Sequence, residues 1–280
     1  MSNIQVRKNE LNKYLSNGDL SNRFVSLFSK DEAKAEKFKA TIVNLALDNS
    51  LSSCTIASIL KSALDIAEIN LPLAKGLGQA YIVRYKSDAE PVIGYKGWLA
   101  LAERGGKIVK TKPIFKCDHF NMIDNGFDEI IDFIPNLNER REYEPKWVEE
   151  NLNGILVSYK DNSTGVISNN YVSFGKIKQL AGKSPARNSK YSPYVDWSLE
   201  MYQGKAIKYI LSKTPMNEAI AKAIEIDNKV DIDNINEQKQ SKGLDLNKLI
   251  NSEEQEDIID TTVSNTQQGE QNDYWFIRSG

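Results

Sequence analysis

The stretch that decides the fold is residues 77–106, LGQAYIVRYKSDAEPVIGYKGWLALAERGG. Its first half predicts two short strands, at 79–85 and 91–93, joined by a polar turn at 86–90. Its second half changes to a helical pattern that begins at GYKGW and stops at Gly105-Gly106, a pair that favours the end of a helix. The stretch therefore predicts two strands that lead directly into a helix.

The flanking segments extend this pattern in both directions. Upstream, residues 34–47 and 55–69 carry apolar side chains at helical spacing. Downstream the pattern predicts strands and then helices again: strands at 108–120, 129–134, 154–159 and 166–174, and helices at 175–181 and 195–212. Helices, then strands, then helices predict an α+β fold with a mostly antiparallel sheet flanked by helices.

Charge divides the chain at about residue 227. The whole sequence has a net charge of −2, but residues 227–280 hold 12 Asp and Glu against 5 Lys and Arg, which leaves +5 for residues 1–226. The C-terminal segment is also poor in apolar residues before its aromatic end, YWFIR at 274–278. We therefore expect a core at 1–226 and an acidic, disordered tail at 227–280 that is a candidate partner-docking segment.

Cysteine content and hydropathy indicate the compartment. Two cysteines, Cys54 and Cys117, form no disulfide framework and fit a reducing environment. The N-terminus has no apolar signal core, and no run reaches the roughly 18 apolar residues that a membrane span needs. We expect a cytoplasmic protein that does not engage a membrane.

Two basic clusters are the candidate polyanion-binding features. Residues 104–116 carry five basic side chains and no acid, and residues 171–213 have a net charge of +6. Aromatic residues lie among them, including Trp98, Tyr194 and Trp197. Lysines neutralise phosphates and aromatic faces stack on unpaired bases, so the pattern is typical of single-strand binding. The alternative is a solvated charged face over a buried aromatic core.

Motifs for nucleotide or metal chemistry are weak. No GxxxxGK[ST] loop occurs, so ATP-driven strand exchange has no support in the sequence. Cys117 and His119 are only two metal ligands, fewer than a zinc site needs. Four carboxylates are candidate Mg²⁺ ligands and leave a metal-dependent nuclease as an alternative: Asp118, Asp124, Asp128 and Glu129.

The order of motifs closely resembles the RecT family of phage single-strand annealing proteins. The shared features are an apolar-Pro segment at 71–73, LGQAY at 77–81, GYKG at 94–97 and a helix that ends in a basic residue and a Gly pair. Farther on, residues 118–120 and 131–135 resemble the family's acidic strand and the segment that follows it, with Phe133 where the family often has His. The helix from Trp197 to Lys213 resembles its closing helix.

The resemblance implies a function without covalent chemistry. Members bind single-stranded DNA, assemble into rings or helical filaments, anneal complementary strands in recombination without ATP, and work beside a 5′–3′ exonuclease. By this resemblance we expect no catalytic residue and no cofactor. A requirement for Mg²⁺ is possible but is not predicted from the sequence. A nuclease and a single-strand coat protein that does not anneal remain as alternatives.

The resemblance also suggests DNA contacts. Lys96, Lys205 and Lys208 are expected to bind phosphates in a groove between sheet and helices. The other candidates are outer cations and one aromatic residue: Arg104, Lys107, Lys110 and Tyr95. In the closing helix the family's lysine falls on Gly204 and Lys205 takes the next position, which rotates a basic contact by about 100° around the helix. Tyr95 is expected either to stack on a base or to pack in the core.

Overall fold

The structure of the protein is a computed structural model that describes residues 3–126, 128–183 and 192–236. Within these ranges the expected α+β architecture is confirmed, with antiparallel strands in small sheets and helices around them. Four helices come first: α1 Asn3–Leu15, α2 Gly18–Leu27, α3 Glu32–Ala46 and α4 Ile56–Glu68. Three of them begin where Asn17, Asp31 and Thr55 accept hydrogen bonds from first-turn N–H groups.

The stretch from 77 to 106 forms the predicted two strands and helix, but the second strand begins at Asp88 and the turn is shorter than the predicted 86–90. A short 3₁₀ turn at Lys75–Leu77 precedes β1 Ala80–Tyr85, which pairs antiparallel with β2 Asp88–Ile93. Helix α5 Tyr95–Arg104 follows β2 after a single residue. The change from alternating to helical periodicity at Gly94 thus marks a real boundary between elements.

The remaining strands form two further antiparallel sheets. In the larger one, β6 Leu152–Asp161 lies between β3 Lys107–Phe115 and β7 Ile167–Ser173. In the smaller one, β4 His119–Asp124 pairs only with β5 Glu129–Ile134. The strand predicted at 108–120 is therefore two strands.

The break between β3 and β4 has a local cause. The Asp118 carboxylate accepts a hydrogen bond from the Phe115 N–H at 2.7 Å and binds the Arg140 guanidinium at 2.7 Å. These bonds hold residues 116–118 in a turn. A continuous strand through these residues would break the bonds, so β3 ends here.

The core lies between the three-stranded sheet and the helices on one of its faces. Helices α5, α7 Phe174–Ala181 and α9 Ser198–Leu211 pack against this face and against one another. Trp98 of α5 and Tyr202 of α9 are among the largest fully buried side chains. Each such aromatic contributes roughly 1.5–3 kcal/mol by leaving water, so this layer fixes α5 and α9 firmly on the sheet.

Three helices were not predicted from the sequence: α1, α6 Pro145–Asn151 and α10 Glu218–Asn236. Helix α10 crosses the predicted boundary at residue 226, and Asp227, the first residue of the expected tail, is buried. The remainder of the expected tail, 237–280 with its aromatic end, lies outside the described residues. No helix within the described ranges is long and apolar enough to cross a membrane.

Candidate nucleic-acid interface

A cleft of about 720 Å³ lies between the segment 76–96 and the start of α9. One wall is formed by the turn before β1, by β1 itself and by the first turn of α5. The other wall is formed by the short helix α8 Pro193–Asp196 and the first turn of α9. Six side chains give the cleft its chemistry: Tyr81, Tyr95 and Lys96 on the first wall, and Asp196, Trp197 and Glu200 on the second.

Close contact between backbone segments shapes the first wall. The Gly94 N–H donates to the Gln79 carbonyl at 2.9 Å. A Cβ at Gly94 would lie 2.4 Å from the Gly78 carbonyl oxygen, and one at Gly97 would lie 2.1 Å from that of Gln79. Both distances are far inside van der Waals contact. The glycines of LGQAY and GYKG therefore allow α5 to pack onto the turn before β1, rather than forming a phosphate loop of their own.

The first wall offers an anion-binding position. Gly94 precedes α5 and has no side chain with which to cap it. The Gly97 N–H donates to the Gly94 carbonyl at 2.9 Å, which leaves the Tyr95 and Lys96 N–H groups of the first turn as donors at the positive end of the helix dipole. Lys96 belongs to this turn and is exposed to solvent in the cleft. A phosphate would meet both kinds of donor there.

The second wall offers an aromatic surface. Trp197 is 61% exposed, an unusual state for so large an apolar side chain. Asp196 and Glu200 place carboxylates beside it. Burial and, to a smaller extent, the charge of Glu200 raise the pKa of Tyr81, so its hydroxyl stays protonated and can donate a hydrogen bond. The cleft thus has a cationic wall and an aromatic, acidic wall.

Among the residues predicted to bind DNA, the structure brings Tyr95 and Lys96 into this cleft. Tyr95 is half-buried, and its hydroxyl forms a 3.1 Å hydrogen bond with Thr111 on β3. Trp197 was not among the predicted contacts. The signal that could have identified it is its position between α8 and α9, just outside the segment of α9 that supplies the buried side chains.

The structure places Lys205 and Lys208 in an ion pair beneath α10. Lys205 is 7% exposed and donates to the Asp227 carboxylate at 2.9 Å, and Lys208 donates to the same oxygen. Burial alone would raise the pKa of Asp227, but the two ammonium groups outweigh it and hold the pKa at about 2. The two lysines therefore neutralise a protein carboxylate here, and their role as phosphate contacts stays a prediction.

The three outer cations are dispersed. Arg104 donates to the Ile69 carbonyl at 2.9 Å, at the end of α4, and burial lowers its pKa. Lys107 is 6% exposed and lies 3.5 Å from the Asp161 carboxylate. Lys110 is exposed on β3, and it lies outside the cleft. The predicted contacts thus do not form one continuous groove.

Of the four carboxylates that suggested a nuclease, Asp124, Asp128 and Glu129 lie at the turn of the β4–β5 hairpin and Asp118 lies at its opposite end. Asp118 is held by Arg140, and the Asp124 carboxylate accepts from the Gly126 N–H at 2.8 Å. Glu129 accepts from the Asn169 side chain at 2.7 Å. Within the described ranges, no three His, Cys, Asp or Glu side chains form a group that could hold a metal ion. These contacts give the carboxylates structural partners instead.

Comparison with known proteins identifies the family. A family model described as "RecT family" matches residues 36–241, well over half of the chain. The chain belongs to the RecT family.

Two relatives of this RecT-family chain show how far the similarity extends. The chain is 32% identical over 114 residues to uncharacterized protein YqaK of Bacillus subtilis (strain 168), which covers 40% of this chain and 39% of that protein. It is 24% identical over 189 residues to Protein RecT of Escherichia coli (strain K12), which covers 64% of this chain and 65% of that protein. The chain therefore matches less than two thirds of the length of either relative.

Proposed function

We propose that the protein binds single-stranded DNA in the cleft and anneals complementary strands, without ATP and without covalent chemistry. The observation that carries the proposal is that Lys96, in the first turn of α5, and the exposed ring of Trp197 line the same cleft. A single strand presents the same two features, a phosphate backbone and unpaired bases. A cation on one wall and an aromatic face on the other suit both at once.

In this proposal each wall has its own task. Phosphates lie against the N-terminus of α5 and the Lys96 ammonium group, and a base stacks on Trp197. Asp196 and Glu200 accept hydrogen bonds from amino groups of bases and keep phosphates off the second wall by like-charge repulsion. The strand is thereby held in one orientation, with its backbone on the α5 side.

The free energy for annealing comes from the DNA. Stacking contributes about 1.4 kcal/mol per base-pair step, so even ten matched pairs greatly exceed thermal energy. The protein has only to screen phosphates and hold the strand open, which requires no nucleotide hydrolysis. We further propose that copies of the chain assemble along DNA in the cytoplasm as a ring or filament, and that a 5′–3′ exonuclease supplies the single strand.

An annealing assay tests the proposal. Two complementary 50-mers, one carrying a fluorophore and one a quencher, are mixed with the full chain with and without ATP, and the strands are then sized on a denaturing gel. We expect the pairing rate to rise equally in both conditions while the strands stay full length. Dependence on ATP would contradict the proposal, shortened strands would favour a nuclease, and binding without faster pairing would favour a coat protein.

Trp197→Ala tests the cleft itself. It should weaken single-strand binding by about 1–3 kcal/mol, the value of one stacked base. Tyr143→Ala is the matched control, because Tyr143 is an aromatic residue that is 80% exposed and does not line the cleft. Equal affinities of the two variants would remove Trp197 from the site.

A further inference from the structure

The face of the three-stranded sheet opposite the helices, here called the open face, is exposed except at Leu156, which is 5% exposed, and where the β4–β5 hairpin contacts Tyr171 and Asn169. In antiparallel pairs, directly opposed residues lie on the same face. The pairing registers therefore place nine side chains of this face in three rows across β3, β6 and β7: Lys112, Leu156 and Tyr171; Lys110, Ser158 and Asn169; and Ile108, Lys160 and Ile167. None of these nine residues is acidic.

Lysines occupy one side of this face. Lys110 and Lys112 are exposed and alternate along β3, which spaces them about 7 Å apart. Lys160, also exposed, follows on the neighbouring strand β6. These three ammonium groups lie on adjacent strands, one in each of the three rows. Together they form a line of positive charge that can follow a chain of phosphates.

Aromatic rings occupy the other side. Tyr171 on β7 is 38% exposed, and the β4–β5 hairpin adds Phe120, whose ring centroid lies 5.1 Å from that of Tyr171. The ring centroid of Phe133 lies 6.2 Å from that of Phe120. Lys112 and Tyr171 are two strands apart, which is about 10 Å, so cations and rings run side by side. Glu129 is the hairpin carboxylate that reaches this face, where Asn169 donates to it.

We propose that this open face is a second binding site for a single DNA strand, with phosphates on Lys110, Lys112 and Lys160 and bases against Tyr171 and Phe120. The inference rests on the proposed function, because annealing brings two strands to one protein and the cleft holds one of them. The face lies outside the cleft and shares none of its lining residues. It gives the second strand its own backbone and base contacts.

The variant K110Q/K112Q/K160Q tests the site. Its control, K8Q/K13Q/K37Q, removes the same charge from exposed lysines of α1 and α3. We expect the sheet variant to anneal at least tenfold more slowly than the control, and its binding to depend less steeply on salt by up to about 2 in log–log slope, or about 0.7 per phosphate contact. Annealing by the sheet variant at the rate of the control would overturn the inference.

Photocrosslinking of the unaltered chain provides an independent measurement. A 30-mer containing 5-iodo-deoxyuridine is irradiated with the protein, and the crosslinked peptides are identified by mass spectrometry. We expect crosslinks at both Trp197 and the Tyr171 or Phe120 peptides, and loss of only the latter in K110Q/K112Q/K160Q. Crosslinks at Trp197 alone would overturn the second site and leave the cleft. Crosslinks at Tyr171 alone would leave the second site and contradict the cleft.

Discussion

Replacement of Asp227 by Asn should destabilise the protein strongly. The Asp227 carboxylate is buried and serves two lysines, Lys205 and Lys208, which are themselves mostly buried. Removing one partner of a buried ion pair typically costs about 3–5 kcal/mol, because the remaining charge keeps its desolvation penalty. Here one substitution leaves two ammonium groups without their shared anion, so we expect a loss in that range.

The control for this substitution lies two residues away. Glu225→Gln also removes a negative charge from α10, but the Glu225 side chain is 51% exposed and lies 3.8 Å from the Lys222 ammonium group. An exposed pair of this kind contributes roughly 0–1 kcal/mol. Guanidinium chloride unfolding followed by circular dichroism measures both variants. Equal midpoints for Asp227→Asn and Glu225→Gln would refute the view that the buried pair anchors α10.

The pH dependence of stability supplies a second measurement of the same pair. The pKa of Asp227 falls from its ordinary 3.8 to about 2 on folding, so its contribution is present above pH 4 and is lost as pH falls towards 2. A shift of this size corresponds to roughly 2–3 kcal/mol. The gap in unfolding free energy between the unaltered chain and Asp227→Asn should therefore narrow below about pH 4. If this difference in unfolding free energy stays constant with pH, the loss of stability in Asp227→Asn comes from packing and not from the charge of Asp227.

Three further predictions follow from the geometry. Gly97→Ala should lower the unfolding midpoint, because its Cβ would lie 2.1 Å from a carbonyl oxygen. Gly175→Ala is the control: a Cβ there would have nothing within 4 Å, so the substitution should be neutral or stabilise the protein by up to about 1 kcal/mol. Lys96→Ala should leave the melting temperature unchanged and reduce the salt slope of single-strand binding by about 0.7, as filter binding at several salt concentrations would show. A chain ending at Ile226 should melt well below one ending at Asn236, because only the longer chain keeps the Asp227 ion pair; equal melting temperatures would show that α10 beyond residue 226 adds nothing.

Much of the fold could be predicted because local patterns determine it. The strands and helix between Gly78 and Arg104 follow from the change in apolar period and from the glycines at its boundaries. The break at Asp118 could not be predicted, since it depends on Arg140, 22 residues farther along the chain. Helix α10 was missed for a related reason: its acidic residues read as a solvated tail until Lys205 is placed beside Asp227.

The candidate site was harder to predict, because the sequence does not show whether a lysine is exposed to solvent or paired with a carboxylate. Lys96, a DNA contact suggested by the family resemblance, lines the cleft, whereas Lys107 is paired with Asp161 on a neighbouring strand. Trp197 was noted among the interleaved aromatic residues but not named as a DNA contact, because aromatic residues in a helical region usually belong to the core. Tertiary pairing, which one sequence does not reveal, decides each of these cases.

The buried ion pairs have a consequence for how tightly one subunit can hold DNA. A cation neutralised within the fold generates only a short-range dipolar field: Asp161 neutralises Lys107, and Asp227 cancels one of the two charges of Lys205 and Lys208, so these three lysines together add the field of one net positive charge. Of the described residues that line the cleft, Lys96 is the one cation. A subunit that holds DNA through the cleft alone should therefore dissociate quickly. In the assembly that we propose, durable attachment would come from avidity, with many weak contacts along one strand. Such an assembly would stay on the DNA while each subunit releases its own short segment for pairing.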